Sequence, residues 1–262
     1  MPAGGQVKNR GTMLKRTFLH ISGVGPRREL NIWQAGIHTW EDFLARGERL
    51  LPRGLFALGR PVVERSLAAL ERPGGMAELA GMIPSAEHWR FYPQCGRVVF
   101  LDIETGGDSS DWGGVTVVGL YDGEKVAQYV SNNNMWLIND AMKPHFVVCT
   151  FAGKSFDIPV LKNVFPNMYI PPVHIDLRWV LKRLGLTGGL KRIEGQVGLA
   201  RPAQVRGLNG YDAVRLWAQH QAGDPGALEI LLQYNACDVV NLKPLLDLAV
   251  TRLKETLLGR LA

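Results

Sequence analysis

The stretch RVVFLDIETGG, residues 97–107, joins an apolar run to two carboxylates. The β-branched and large apolar residues before Asp102 are typical of a buried strand. Side chains at positions i and i+2 of a strand point to one face, so Asp102 and Glu104 should project together while Ile103 enters the core. The two glycines that follow let another molecule approach the backbone. The stretch therefore predicts a strand that presents two acids at its end.

A second pair of polar side chains lies in QYNACDVVNL, residues 233–242. Tyr234 and Asp238 are four residues apart, and the residues before them have helical character. Positions i and i+4 of a helix share a face, so the phenol and the carboxylate should point the same way. A phenol can hydrogen-bond an attacking water, either to position it or as a general base. A solvated helix face is the alternative interpretation of this pair.

A third acid lies in CTFAGKSFDIPVL, residues 149–161. Asp157 follows an apparent strand at 146–151, and Pro159 fits the first turn of a helix. These signals predict that Asp157 lies near a helix start. An ordinary role as a helix cap remains open for it.

Together these acids are suited to divalent cations. Hard ions such as Mg²⁺ bind carboxylates together with phosphate oxygens. Two such ions, about 4 Å apart, can clamp the attacking and leaving oxygens of an in-line displacement at phosphorus. Adjacent acids after a buried strand would repel each other without a cation, which argues against a merely charged strand end. The set predicts two Mg²⁺ or Mn²⁺ ions held by Asp102, Glu104, Asp157 and Asp238.

The three runs, in this order, resemble the motifs of the DnaQ-like (DEDD) exonucleases, which have the ribonuclease-H-like fold. The spacing Tyr-x-x-x-Asp at 234–238 resembles their tyrosine (DEDDy) subclass. Over about residues 90–250 the chain is most similar to the YprB-type ribonuclease-H-like proteins of bacteria. Many relatives carry Asn where this chain has Ala152, a departure that concerns strand binding more than the metal ligands.

The resemblance implies a metal-dependent 3′–5′ exonuclease. Such an enzyme hydrolyses the terminal phosphodiester of DNA or RNA and releases nucleoside 5′-monophosphates. Tyr234 would orient the water, and the backbone around Thr105 and Gly106 would cradle the terminal nucleotide. A catalytically weak nucleic-acid-binding protein and a protein-interaction adaptor on the same scaffold are the alternatives.

Strand and helix signals fit the implied fold. Residues 115–121 and 125–130 form a predicted hairpin. Residues 146–151 and 173–176 are predicted strands that alternate with helices. We therefore expect an α/β, ribonuclease-H-like mixed sheet of five strands, in the order 3-2-1-4-5, flanked by helices and preceded by a small all-helical domain.

Two further polar features have plain explanations. Asp176 is predicted to cap the helix that follows it. The glycine-rich and basic residues 185–192 are equally consistent with the wall of a nucleic-acid channel and with a surface turn.

The amino-terminal part carries an excess of basic residues. Residues 1–90 hold 13 Lys or Arg against 8 Asp or Glu, which suggests contact with polyanions. Gly23 and Gly25 form a predicted tight turn before a helix start, and Arg27 and Arg28 follow at once. Helix N-termini attract phosphate, and this pattern resembles the helix-hairpin-helix motif that grips nucleic-acid backbone. A soluble basic surface and a protein-binding helical domain are the alternatives.

Length and composition limit the remaining possibilities. The 262 residues suffice for a disordered or appended tail at 1–12, a helical domain at 13–84 and a catalytic domain at 90–262. The three cysteines show no metal-binding spacing, which favours a reducing, cytoplasmic setting. The sequence contains neither a signal peptide nor an apolar stretch of membrane-spanning length, so no membrane partner is expected.

Overall fold

The computed structural model describes residues 12–94, 96–107 and 114–260, so the predicted tail lies, up to residue 11, outside the described residues. The chain divides into two compact units. The first holds the described residues up to Gln94 and the end of the last helix from Lys254, and the second runs on to Leu253. Among the described residues, no helix is long and apolar enough to cross a membrane.

The first unit is helical, as predicted. Its secondary structure is a 3₁₀ helix at Leu14–Arg16, α1 at Pro26–Gln34, α2 at Trp40–Leu50, α3 at Arg53–Glu71, α4 at Gly75–Met82 and a 3₁₀ helix at Ser85–Phe91.

Local sequence signals explain two of these helix starts. Pro26 occupies the first turn of α1, where its missing N–H costs no hydrogen bond. Thr39 caps α2 by accepting the N–H of Asp42, whose carboxylate in turn accepts the N–H of Thr39. The described segment before Gly23 contains a short 3₁₀ helix rather than a full α-helix, so the helix-hairpin-helix resemblance stays a prediction.

A buried ion cluster, here called the Arg90 cluster, lies within this unit. Arg90 is 1% exposed, and its Nη2 lies 2.7 Å from Oε2 of Glu29. Its Nε donates to Oε2 of Glu87 at 2.8 Å. Glu29 also accepts the N–H of Phe18 at 2.8 Å and the hydroxyl of Thr17 at 3.1 Å. Every charge in the cluster therefore has a partner of opposite sign and additional hydrogen bonds.

His20 lies close to this cluster but has a different environment. Both ring nitrogens are shielded from solvent and have no hydrogen-bond partner among the described residues. The ring lies 5.3 Å from that of Trp40, between centroids. Burial, and then the positive charge of Arg90, lower the pKa of His20 to about 4.

The second unit is built on a five-stranded sheet in the order β3-β2-β1-β4-β5, as predicted. Neighbours β1–β2 and β2–β3 are antiparallel, whereas β1–β4 and β4–β5 are parallel. The strands are β1 at Val98–Thr105, β2 at Val115–Tyr121, β3 at Val126–Val130, β4 at Val147–Thr150 and β5 at Val173–Asp176.

Helices cover both faces of this sheet. They are a 3₁₀ helix at Met135–Leu137, α5 at Ile138–Met142, α6 at Asp157–Val164, α7 at Leu177–Lys182, α8 at Leu190–Gln196, a 3₁₀ helix at Ala203–Val205, α9 at Gly210–Gln221 and α10 at Pro225–Gly259. Leu101 and Ile103 of β1 belong to a core that includes Leu161 of α6. Val117 of β2 belongs to a second core with Trp217 of α9. Because alternate strand residues face opposite sides, Asp102 and Glu104 lie opposite the Ile103 core.

A missing side chain lets α10 approach the sheet closely. A Cβ atom at Gly119 of β2 would lie 2.1 Å from Oδ1 of Asn235, far inside contact distance. That amide oxygen accepts Nε2 of Gln128 at 3.1 Å. The amide nitrogen of Asn235 lies 3.3 Å from Oδ2 of Asp102. The close approach therefore sets the position of α10 relative to the acids of β1.

Candidate functional site

The end of β1 holds the two strand acids. Asp102 pairs across the antiparallel ladder with Gly119, and the register shifts by a bulge between Glu104 and Thr105. Bulges alter the twist of a strand and re-aim its side chains, and they are frequent beside functional sites. Glu104 is buried and Asp102 is partly buried, so both carboxylates are largely withdrawn from water.

Helix α10 brings the second pair to the same place. Tyr234 and Asp238 are both buried, one turn apart on the helix. Asp102, Glu104 and Asp238 each offer an oxygen, and these oxygens lie within 4.8 Å of one another. The i, i+2 spacing of the strand and the i, i+4 spacing of the helix thus converge on one cavity of about 470 Å³, here called the acid pocket.

Asp157 is the first residue of α6 and also lines the acid pocket. It is buried, and its Oδ1 accepts the N–H of Ile103 at 3.2 Å. This bond ties α6 to β1, so Asp157 is more than the start of a helix. It does not belong to the group of three acids whose oxygens meet within 4.8 Å.

The carboxylates of the acid pocket hold protons more tightly than ordinary acids. Burial, and then the negative charge of Asp238, raise the pKa of Glu104 to about 8. Burial raises the pKa of Asp157 to about 7. The pKa of Asp102 is raised well above its usual range by burial and by repulsion from Asp238 and Glu104. Removal from water and mutual repulsion both disfavour the ionised forms.

Two cationic side chains lie beside Asp238, and one of them, Lys191, lines the acid pocket. Arg201 is buried and donates to the carboxylate of Glu194 through Nε at 2.7 Å and through Nη2 at 2.6 Å. Its Nη2 also contacts the carboxylate of Asp238. Nζ of Lys191 lies 4.0 Å from Oδ2 of Asp238. Asn241 donates to Glu194 at 3.0 Å. Burial nevertheless keeps the pKa of Asp238 above its usual value.

Lys191 also contacts Tyr234. Its ammonium group donates to the phenol oxygen of Tyr234 and lies 4.4 Å from the ring centroid. Burial, and then the charge of Asp238, raise the pKa of the Tyr234 phenol well above its usual value. The phenol therefore stays protonated, and its own hydrogen is free to point toward another acceptor. A role as a general base is not supported by this environment, whereas a role as a hydrogen-bond donor is.

The sequence missed Glu194 and Arg201 altogether. Arg201 reaches Asp238 across 37 residues of chain, and no local spacing marks such a contact. Lys191 carried a weak signal, because it lies in the basic, glycine-rich stretch at 185–192. The residues of that stretch from Leu190 onward begin α8.

The acid pocket fits a divalent cation. Four carboxylates line it with one cation, Lys191, while Arg201 contacts Asp238 and Glu194. Oε1 of Glu104 is shielded from solvent and has no hydrogen-bond partner among the described residues. An unpartnered buried oxygen facing other carboxylates is suited to metal coordination, which would relieve the repulsion.

Two predicted backbone contacts have specific geometry. The N–H of Gly106 donates to the carbonyl of Gly114 at 2.8 Å, so this amide is already engaged, while Thr105 lines the acid pocket. Ala152 adopts a left-handed conformation, with φ of 65°, and its N–H donates to Oδ1 of Asp176 at 2.9 Å. Asn tolerates this conformation better than Ala, so the backbone here suits the Asn that the family resemblance implies.

Asp176 is the cap that the sequence predicted. Its Oδ1 accepts the N–H of Arg178 at 3.1 Å at the start of α7. Its Oδ2 accepts the N–H of Lys154 at 3.1 Å, so it also holds the turn that contains Ala152. These contacts account for Asp176 without a metal.

The predicted phosphate-binding turn lies in the first unit. Gly23 has φ of 78°, and Gly25 is the residue that precedes α1. Nη1 of Arg28 donates to the carbonyl of Gly23 at 2.7 Å and so closes the turn, whereas Arg27 is exposed.

Comparisons with known proteins relate this chain to one superfamily and one solved structure. A sequence model of the RNase_H superfamily matches residues 99–250, a range that contains all four predicted metal ligands and Tyr234. The fold is similar to the family B DNA polymerase from the hyperthermophilic archaeon Pyrobaculum calidifontis, with 16% sequence identity and a TM-score of 0.48. That similarity covers 63% of this chain and 26% of the polymerase chain. No curated protein matches the sequence.

Proposed function

Because this chain belongs to the RNase H superfamily, we propose that it is a metal-dependent 3′–5′ exonuclease of the DEDDy, YprB-like type. Its substrate is DNA or RNA with a 3′ end, and its products are nucleoside 5′-monophosphates. One observation carries the proposal: carboxylate oxygens of Asp102, Glu104 and Asp238 lie within 4.8 Å of one another. Tyr234 lies one helical turn before Asp238 on α10. A metal site beside a buried phenol suits phosphodiester hydrolysis.

The acids of the pocket have distinct proposed roles. Asp102, Glu104 and Asp238 would hold one Mg²⁺ or Mn²⁺ ion, and Asp157 would help Asp102 to hold a second. When bound, such ions supply an activated water and offset the charge that develops on the phosphate. The raised pKa values of these acids predict that metal binding releases protons, because the ligands must ionise.

Tyr234 is proposed to position the water through its protonated phenol. Lys191 donates to the phenol oxygen and thereby leaves the phenol hydrogen for the water or for a phosphate oxygen. Thr105 is proposed to contact the terminal nucleotide from the wall of the pocket. Gly106 is proposed to contact the nucleotide with the rest of its backbone, because its N–H already donates to the carbonyl of Gly114.

The first unit has a proposed supporting role. The turn at Gly23 and Gly25, with Arg27 and Arg28, is proposed to contact nucleic-acid backbone. Such contacts supply affinity without base information. The hydrogen bond from Arg28 to Gly23 closes the turn, and both Arg27 and Arg28 are exposed.

One observation favours a second candidate function. Arg201 pairs with Asp238, so one of the three metal ligands already has a cationic partner. If that pairing excludes a metal ion, the protein would bind nucleic acid without hydrolysing it. The competing outcomes differ in a simple assay.

The test is incubation of 5′-labelled DNA and RNA oligonucleotides with the protein and Mn²⁺ or Mg²⁺. An exonuclease of this type gives a ladder of products shortened one nucleotide at a time from the 3′ end. The Asp102→Asn variant should lose at least about a thousandfold in rate, because metal ions contribute several kcal/mol to such reactions. Binding without a ladder, at any concentration of either metal, would favour the second candidate.

A matched control tests whether the loss of any carboxylate of this unit, rather than that of Asp102, lowers the rate. Asp140 lies in the same unit, and its side chain is exposed. Asp140→Asn should leave the rate unchanged. Substantial cleavage by a folded Asp102→Asn protein would disprove the metal assignment.

A further inference from the structure

A second cavity of the same unit adjoins the acid pocket. It has a volume of about 500 Å³ and is lined by Phe151, Arg178, Trp179, Lys182 and residues 187–189. We call it the Trp179 groove. Phe151 also lines the acid pocket, and the residues that follow the groove in sequence, Leu190 and Lys191, line that pocket as well. The two cavities therefore share one wall and one continuous piece of chain.

About half of the Trp179 side chain is exposed. Its neighbours in α7, Leu177, Val180 and Leu181, are buried, whereas Trp179 is 52% exposed on the other side of the helix. A large aromatic surface left in water is unfavourable, and exposed aromatic rings often mark binding sites. Leu177, Val180 and Leu181 supply the buried face of α7, so about half of the Trp179 ring lies outside the core.

Cationic side chains flank the ring. Cζ of Arg178 lies 5.8 Å from the indole centroid, and Nζ of Lys182 lies 5.3 Å from it. Both side chains are exposed. Aromatic platforms beside positive charges bind single-stranded nucleic acid, because bases stack on the ring while phosphates meet the cations.

We propose that the Trp179 groove binds the single strand upstream of its 3′ terminal nucleotide, with a base stacked on Trp179 and phosphates against Arg178 and Lys182. The proposal rests on the exonuclease function, which puts the 3′ end in the acid pocket. The strand then passes Phe151 and follows residues 187–189 into the groove. The charges fit this occupant, because the charged side chains among the described residues that line the groove, Arg178 and Lys182, are both cationic.

The groove predicts how binding depends on strand length. A substrate that ends at the acid pocket cannot reach Trp179, whereas a longer strand can. Removal of the ring should therefore weaken binding of an octanucleotide and leave hydrolysis of a mononucleotide ester unchanged. A defect confined to long strands separates a strand site from damage to the acid pocket.

The experiment measures binding of labelled oligonucleotides by fluorescence polarisation with the full chain, in chelator so that nothing is cleaved. Trp179→Ala should weaken octanucleotide binding roughly 5- to 150-fold, the range for loss of one stacked base. Trp179→Phe should retain most of the affinity, since a phenyl ring still stacks. The matched control is Trp136→Ala, since Trp136 is 59% exposed in the same unit but lies outside the groove.

The contribution of Arg178 and Lys182 is measured separately, through the salt dependence of binding. Arg178→Gln combined with Lys182→Gln should lower the salt dependence of binding by about 1.4 in log–log slope, the value for two phosphate contacts on a single strand. The control Lys143→Gln removes an exposed cation elsewhere in the unit and should leave the slope unchanged.

The outcomes distinguish this proposal from the proposed function. If Trp179→Ala binds the octanucleotide as tightly as Trp136→Ala, the groove proposal is wrong even if the parent protein cleaves, and the groove serves another occupant. If the parent binds, Trp179→Ala weakens binding and no metal supports cleavage, the groove stands and the exonuclease function fails. If the parent neither binds nor cleaves any oligonucleotide, both are wrong.

Discussion

The two units each bury a group of charged side chains, and the groups differ in how completely their charges are paired. In the Arg90 cluster one guanidinium lies between Glu29 and Glu87. In the acid pocket four carboxylates meet, with Lys191 in the pocket and Arg201 on Asp238, and Oε1 of Glu104 has no partner among the described residues. Both regions remove charge from water, but only in the first does every charged group pair with a group of opposite sign.

The difference separates architecture from chemistry. A buried ion pair with complete hydrogen bonding fixes side chains and backbone segments in one arrangement. Buried acids in excess are unfavourable on their own, and such perturbed groups cluster at functional sites. We therefore expect substitutions in the Arg90 cluster to alter stability, and substitutions in the acid pocket to alter reaction rate.

The largest expected effect is on rate. Tyr234→Phe removes only the phenol oxygen and should lower the hydrolysis rate roughly 10²–10⁴-fold, the range for positioned proton-transfer groups. Mn²⁺ binding, measured by calorimetry, should persist because all four carboxylates remain. The control Tyr211→Phe alters a phenol that is 79% exposed and should not change the rate. An unchanged rate in Tyr234→Phe would make the tyrosine structural.

The next effect is on stability. Arg90→Met leaves Glu29 and Glu87 buried without their cation and should lower the free energy of unfolding by about 3–5 kcal/mol. Arg60→Met removes an exposed cation paired with Glu64 and should leave the free energy of unfolding close to that of the parent. Denaturant titration measures both. A combined Glu29→Gln, Glu87→Gln and Arg90→Met variant should recover much of the loss, and failure to do so would point to lost packing instead.

His20 is the exception within the well-paired unit and gives a dependence on pH. Its pKa is lowered to about 4 in the folded protein, so the unfolded chain takes up a proton first as the pH falls. Stability should therefore decrease as the pH falls from about 6.5 to about 4, by up to about 3 kcal/mol. His20→Phe should remove this part of the decrease, because all other titrating groups are shared. Parallel curves for both proteins between pH 7.5 and 4.5 would contradict it.

The smallest effect has the opposite sign from that of Arg90→Met. Glu104→Gln removes one of the repelling carboxylates and should stabilise the metal-free protein at pH 7 by about 1–3 kcal/mol. The same substitution should weaken Mn²⁺ binding, so added Mn²⁺ should raise the melting temperature of the parent more than that of the variant. Glu124→Gln, at an exposed acid, should change neither quantity. A destabilised Glu104→Gln protein would mean that the acid pocket is paired after all.

The sheet and the acid pairs were predictable because their signals are local. Strand order follows from consecutive strand and helix signals together with the family resemblance, and spacings of two and four residues fix which side chains share a face. Asp102 with Glu104, and Tyr234 with Asp238, were paired on that basis. The two spacings alone did not predict that the pairs converge, because neither spacing sets the distance from β1 to α10.

Contacts between distant residues were not predictable. Arg201 meets Glu194 and Asp238 only because the chain after α8 returns to α10, and an isolated arginine carries no such signal. The engagement of the Gly106 amide by Gly114 depends on the local geometry after β1. The sequence did not predict the exposure of Trp179 either, since most tryptophans are core residues. Only the packing of α7 shows which side of the helix Trp179 occupies.

The close approach of α10 to β2 has a consequence for how this sequence can vary. Gly119 contributes no side chain to the acid pocket, yet any β-carbon there would collide with the amide of Asn235. That amide also contacts Asp102, so a displacement of the helix would be passed directly to a candidate metal ligand. For a protein engineer, position 119 is thus a site where the addition of one methyl group reaches a candidate metal ligand through the spacing of two secondary-structure elements.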